Sequence, residues 1–205
     1  MNLLRLATSA IFCLLLSNSS FADTLNANQT GNISTQDRNG GTFLTVNWWD
    51  GDPNVGLIQF DLSAYAGMAV GSATLNLYHQ YNDGQGALFN LYQNTSAWNS
   101  SISSWSSLPT HSASPVAQLS ISDSSENLWR MLDVTAAVNA WTSGSLANYG
   151  FTLERVDQGN PYIYFSASSG PTLDITAAVP EPETYAMLLA GLGLLSAVAR
   201  RKTKV

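Results

Sequence analysis

Residues 71–81 read GSATLNLYHQY, and their strict alternation decides the fold class. Ala73, Leu75, Leu77, His79 and Tyr81 fall on one face, and Thr74, Asn76, Tyr78 and Gln80 fall on the other. A side-chain period of two is the mark of a strand with one buried face. Asn82, Asp83, Gly84 and Gly86 form a turn signal leading into a second run, ALFNLYQ at 87–93, so these two strands are predicted to pair as a hairpin.

Upstream, VGLIQFDL at 55–62 and TFLTVNWW at 42–49 read as strands, with Asp50, Gly51, Asp52, Pro53 and Asn54 as the turn between them. The polar stretch at 23–41 has room for one short edge strand and a loop. Downstream, a Ser-rich loop holding Trp98, Trp105 and Pro109 precedes strands at 116–121, 128–134, 149–156, 162–166 and 172–176. One short helix fits through Ala136, Val138 and Trp141, capped by Asp133 or Thr135 and ended by Gly144. Eight or nine short strands at close intervals predict an all-β chain, an antiparallel jelly-roll-like β-sandwich with one short helix.

Both ends are read as targeting segments. Arg5 precedes an apolar stretch at 6–16, and Ser20 and Ala22 stand three and one before a cut after Ala22, so residues 1–22 are a predicted signal peptide. Cys13 lies within it; the mature chain then has no cysteine, and its fold stands on a hydrophobic core alone. At the other end, Pro180, Glu181 and Pro182 precede an uncharged run of sixteen residues at 184–199, followed by Arg200, Arg201, Lys202 and Lys204. As a single C-terminal transmembrane helix that run reaches roughly 24 Å, short of a ~30 Å hydrocarbon core. Gly191 and Gly193 weaken it further, so residues 180–205 are a marginal anchor with a cytoplasmic basic end.

Between the ends, residues 23–179 form one domain by length, holding three arginines, twelve carboxylates and no lysine. A formal charge of −9 repels phosphate backbones and excludes nucleic acid as a partner.

The letters VPEP, the glycine-containing apolar run and the RRK end occur in that order, and together they resemble the PEP-CTERM sorting signal. The resemblance implies processing near the Pro/Glu motif by an exosortase and delivery to the cell surface or matrix; the alternative is a plain tail anchor. In the domain, FDLS at 60–63, SATLNLY at 72–78, the pair Trp98 and Trp105, LDVTAAVNAW at 132–141, NYGFTL at 148–153 and FSASSGPTLDI at 165–175 resemble the DNRLRE (disaggregatase-related) domain. That family is a β-sandwich related to carbohydrate-binding modules. With three arginines in the domain, a neutral or mixed polysaccharide suits the charge better than an anionic one.

Groupings for catalysis are thin. His79 and His111 have no nucleophile motif beside them, and there is no GxSxG, HExxH or phosphate-cradling glycine loop. Asp50, Asp52 and Asn54, with Asp61 eleven residues after Asp50, echo a calcium loop, because Ca²⁺ takes oxygens from alternating side chains and a distal carboxylate. Pro53 and the late Gly56 count against it; the plainer reading is a β-turn, with Asp61 capping the turn after a strand. Trp48, Trp49 and Trp98 are the candidate sugar-stacking rings, since neighbours on a strand point to opposite faces and loops carry such platforms; Trp105, Trp129 and Trp141 are assigned to the core.

The expectation is an exported, non-catalytic protein of the cell surface or extracellular matrix. Its partners are a processing exosortase and extracellular polysaccharide or matrix proteins. A polysaccharide lyase or glycosidase and a purely structural surface protein are the alternatives.

Overall fold

The structure is a computed structural model that describes residues 22–34, 43–45, 48–49, 52–82, 86–102, 104–122, 126–156, 163–166, 169–178 and 188–195. In chain order its strands begin with β1 (Ala22–Asn26), β2 (Gln29–Ser34), β3 (Phe43–Thr45) and β4 (Trp48–Trp49). Then come β5 (Asp52–Gln59), β6 (Val70–Asn82), β7 (Ala87–Gln93) and β8 (Ala117–Ile121). The last four are β9 (Leu128–Asp133), β10 (Phe151–Arg155), β11 (Ile163–Ser166) and β12 (Thr172–Ala177), with one helix, α1 (Thr135–Thr142), between β9 and β10. A second helical stretch, at 188–195, lies in the tail; no helix among the described residues is long and apolar enough to cross a membrane.

The strands form two six-stranded antiparallel sheets. The first runs β1-β12-β6-β11-β3 with β9 also on β6, and the second runs β2-β5-β10-β7-β8 with β4 also on β5. Strand β6 is the spine of the first sheet. Along one edge β12 pairs with its first half and β11 with its last residues, while β9 takes the other edge from Thr74 to His79.

That arrangement overturns the predicted hairpin, since both edges of β6 are occupied and β7 pairs instead with β10 and β8 in the opposite sheet. A turn signal specifies that the chain reverses, but not whether the next strand lies beside the last one or across the core from it. Both runs alternate with a buried face, and the two faces meet: Phe89 of β7 and Phe165 of β11 pack edge to face across the sandwich at 5.7 Å.

Three further predicted segments are divided differently. The stretch at 23–41 yields two strands, β1 and β2, in different sheets, and the predicted strand at 42–49 likewise splits into β3 and β4. The predicted turn at 50–54 is largely strand, because β5 already begins at Asp52. Pro53 lies outside the ladders to β2 and β10, whose rungs start at Asn54 and Val55, and its strand partner is Trp48 of the two-residue β4.

Leu75, Leu77, Leu132, Leu173 and Ile175 of the first sheet, Ile58, Leu91, Phe151 and Leu153 of the second, and Phe60 just past β5 share one core. Each such side chain contributes about 1.5–3 kcal/mol on burial. Helix α1 closes one end of the sandwich, with Val138 fully buried and Trp141 stacked against Phe151 at 4.8 Å. Asp133 accepts the Thr135 N–H at 2.9 Å and the Thr135 hydroxyl at 2.6 Å, holding the helix entry as a capping carboxylate. The hydrogen bonds from Thr135 hold its carboxyl below the usual value of 3.8. At the far end Gly144 stops the helix with φ of 76°.

Strand β5 is buried on both faces. Ile58 points into the core, while Leu57 is buried on the outer side, where the Ser-rich loop folds back over the second sheet. There the ring of Trp98 rests on Gly31: a methyl group on Gly31 would stand 3.2 Å from Trp98 Cζ3 and 3.6 Å from Ile102.

Candidate functional site

The structure gives two of the candidate residues, Trp98 and Asp61, other work. Trp98 is half-buried, and its indole N–H donates to the Tyr149 carbonyl at 2.8 Å, so the ring fastens the Ser-rich loop to the second sheet. Trp48 and Trp49 pair through their backbones with Pro53 and Asp52. Their side chains, those of Asp50 and Asp52, and the sorting residues Pro180, Glu181, Pro182, Arg200, Arg201 and Lys202 lie outside what is described.

Of the proposed calcium set, Asn54 and Asp61 are described, and they stand well apart. Extended strand carries the chain from Asn54 to Gln59, about 17 Å at ~3.4 Å per residue, before Asp61 is reached. Asp61 is exposed, and its carboxylate accepts the Ser63 N–H at 2.9 Å, which holds its pKa below the usual 3.8. It is the turn cap that follows β5, the plainer of its two readings.

Exposed aromatic residues occur on the outer face of the first sheet, among them Trp129, a ring assigned to the core, and Tyr81, which the alternation places on the buried face. Trp129 on β9 stands opposite Tyr78 on β6, with ring centroids 5.2 Å apart at 63°. Tyr164 on β11 stands opposite Tyr81, at 5.6 Å and 35°. Trp129 is 47% exposed and Tyr81 44% exposed, so neither is core.

Tyr81 changes face because of a β-bulge. Tyr164 pairs with Tyr81 and Phe165 with His79, so Gln80 is one extra residue on β6, and the alternation that would bury Tyr81 is broken. His79 supports the bulge from inside. Its Nδ1 lies 3.4 Å from Arg130 Nη2, a group that only donates, so Nε2 carries the proton and donates to the Tyr81 carbonyl at 3.1 Å. The histidine is fully buried and holds the strand at the bulge.

Polar groups continue the same face toward β12 and β1. Asn76 donates to Asp174 at 2.8 Å and to Thr172 at 3.2 Å, and Thr24 donates to Asp174 at 2.6 Å. Among the described residues of this face there is no lysine or arginine; Arg130 turns inward to His79.

A second concavity lies on the outer side of the second sheet, where the Ser-rich loop ends. A cavity of about 370 Å³ is lined by Trp105, Leu108, Pro109, Thr110, His111, Thr152 and Glu154. An adjoining one of about 210 Å³, with Asn54, Val55 and Arg155 in its wall, shares Trp105 and Glu154. His111 Nε2 lies 3.2 Å from Glu154 Oε1, its Nδ1 lies 2.9 Å from the Ser112 carbonyl, and its ring stacks on Tyr92 at 4.3 Å.

Comparison with known proteins adds the family. A PEP-CTERM protein-sorting motif matches residues 178–202, over the tail singled out by its Pro/Glu and basic ends. The chain is also 30% identical over 139 residues to the tRNA nuclease WapA of Bacillus subtilis (strain 168) and to the tRNA3(Ser)-specific nuclease WapA of Bacillus spizizenii. The aligned part is 64% of this chain but 6% of either relative, so the chain spans only a small fraction of those proteins. Over residues 24–179, the stretch that resembles the DNRLRE domain, the matching model is carbohydrate-binding module family 96, and the chain belongs to that family.

Proposed function

We propose that the protein is an exported, non-catalytic component of the cell surface or extracellular matrix that holds extracellular polysaccharide on the outer face of its first sheet. The observation that carries this reading is the row Trp129, Tyr78, Tyr81 and Tyr164, set across three neighbouring strands, with Trp129 and Tyr81 exposed and Tyr78 and Tyr164 half-buried beside them. Sugar rings present apolar C–H faces that pack on aromatic rings, and an open row suits a chain lying along the surface. The carboxylates Asp133 and Asp174, with no described cation on the face, favour a neutral polysaccharide over an anionic one.

The tail supplies the address. An exosortase-type enzyme cuts near Pro180-Glu181-Pro182 after the run at 184–199 has held the chain transiently in the membrane, with Arg200, Arg201 and Lys202 on the cytoplasmic side. The tRNA cleavage named for the WapA proteins is not carried over, since the alignment leaves out 94% of them and the domain's charge opposes nucleic acid.

The test is retention of the full chain on an insoluble neutral polysaccharide, with a reducing-end assay on the same material. Parent protein is retained and releases no new ends, and the pair Trp129→Ala with Tyr81→Ala abolishes retention. Unchanged retention in the double variant would overturn the face assignment, and new reducing ends would make the protein an enzyme.

A further inference from the structure

We infer that the cleft beside Trp105 is a second sugar site, which takes a single terminal neutral hexose of a glycan, stacked on Trp105 with its hydroxyls on Glu154. The inference takes its ligand class from the carbohydrate reading, but its geometry is independent of the aromatic face.

The cleft is built and held open before any ligand arrives. The two ends of the Ser-rich loop are joined by a bridge between Asn94 and His111, by Thr95 N–H to the Thr110 carbonyl at 2.7 Å, and by Ser112 N–H to the Gln93 carbonyl at 2.8 Å. Pro109 is buried beneath them, and the Thr152 hydroxyl is tied to Asn94 at 2.6 Å. A wall made this way loses little entropy on binding.

Its chemistry is that of a sugar pocket. Both nitrogens of His111 face oxygen atoms, the Ser112 carbonyl and the Glu154 carboxylate, so the ring positions Glu154 Oε1. Oε2 has no partner among the described residues and is left to accept hydroxyls, while Trp105 supplies the apolar wall shared by both cavities. About 370 Å³ is near the lower end of the ~300–1,000 Å³ range of small-molecule sites, so the cleft admits a chain end and not an extended polymer.

The full chain is titrated calorimetrically with glucose, galactose and mannose, each also as its methyl glycoside. At least one binds saturably. Trp105→Ala and Glu154→Gln each weaken it about ten- to a hundredfold, the range set by losing a hydrogen bond to a charged group. Trp105→Phe, which keeps a ring, stays within a few-fold of the parent, and Trp129→Ala with Tyr81→Ala leaves the affinity unchanged. The assignment is overturned if no sugar of the panel binds, or if binding survives in Glu154→Gln. That second variant decides alone should Trp105→Ala fail to fold. Loss of polymer retention together with intact hexose binding in the face variant separates the two sites, while retention with no hexose binding removes the cleft and leaves the face.

Discussion

Gly150 shows how a single residue links motif to fold. It has φ of 76°, and a methyl group there would collide with the Ile58 carbonyl and stand 2.9 Å from the Gln59 Cα, so both its conformation and its space exclude a side chain. Gly150→Ala is expected to cost roughly 2–4 kcal/mol in denaturant unfolding, more than the usual mutational mean. That glycine was legible in NYGFTL as the start of a strand; the carbonyl it must clear, far away in the sequence, was not. Trp98 carries the same lesson in reverse, because its letters suit a sugar platform while its partners make it a fastener. Trp98→Phe loses the bond to Tyr149 and is expected to cost about 1–2 kcal/mol, with polymer retention unchanged.

Strand β6 and helix α1 make the case at the scale of elements. Alternation identified β6 and most of its buried face, yet the extra residue at Gln80 turned Tyr81 outward, and nothing local marks where a bulge falls. Deleting Gln80 restores the simple alternation and drives Tyr81 into the core. The expected outcome is a loss of about 1–3 kcal/mol from overpacking, together with loss of retention on polysaccharide. For α1 the N-cap is Val134, which makes no side-chain cap; Asp133, just before it, holds the helix entry by accepting from the Thr135 N–H and hydroxyl. Because the folded-state pKa of Asp133 is depressed, its contribution is present above the ordinary value of 3.8 and disappears as the pH falls through the folded value. Asp133→Asn is therefore expected to lower Tm by about 2–4 °C at neutral pH, and the difference from the parent closes in the acid limb of a Tm-versus-pH series.

Across the whole molecule, the first and last strands lie side by side. Ala22 pairs with Thr176 and Asn26 with Thr172, so the two ends of the domain lie together at one sheet edge. Tyr65 reinforces that edge, donating to Asp23 at 2.6 Å, an interaction that pushes the phenol pKa up to about 12. A cut near Pro180 leaves β12, which ends at Ala177, intact. Exported protein analysed by mass spectrometry is expected to lack Arg200 to Val205 and to keep the Tm of the uncut domain. If neutral glycan is held by ring stacking, its retention is expected to change little between about 0.05 and 0.5 M salt, whereas ionic contacts would be screened over that range. Composition, alternation and the ordered motif of the tail determined the β class, the acidic charge of the domain and the sorting address, because each can be read without knowing which strands meet. Sheet membership, the bulge that exposes Tyr81, the bond of Trp98 to Tyr149 and the union of Trp105, His111 and Glu154 in one cleft were decided only by the tertiary structure. They depend on which distant strands meet, and a strand's pattern states that one face is buried without stating against what.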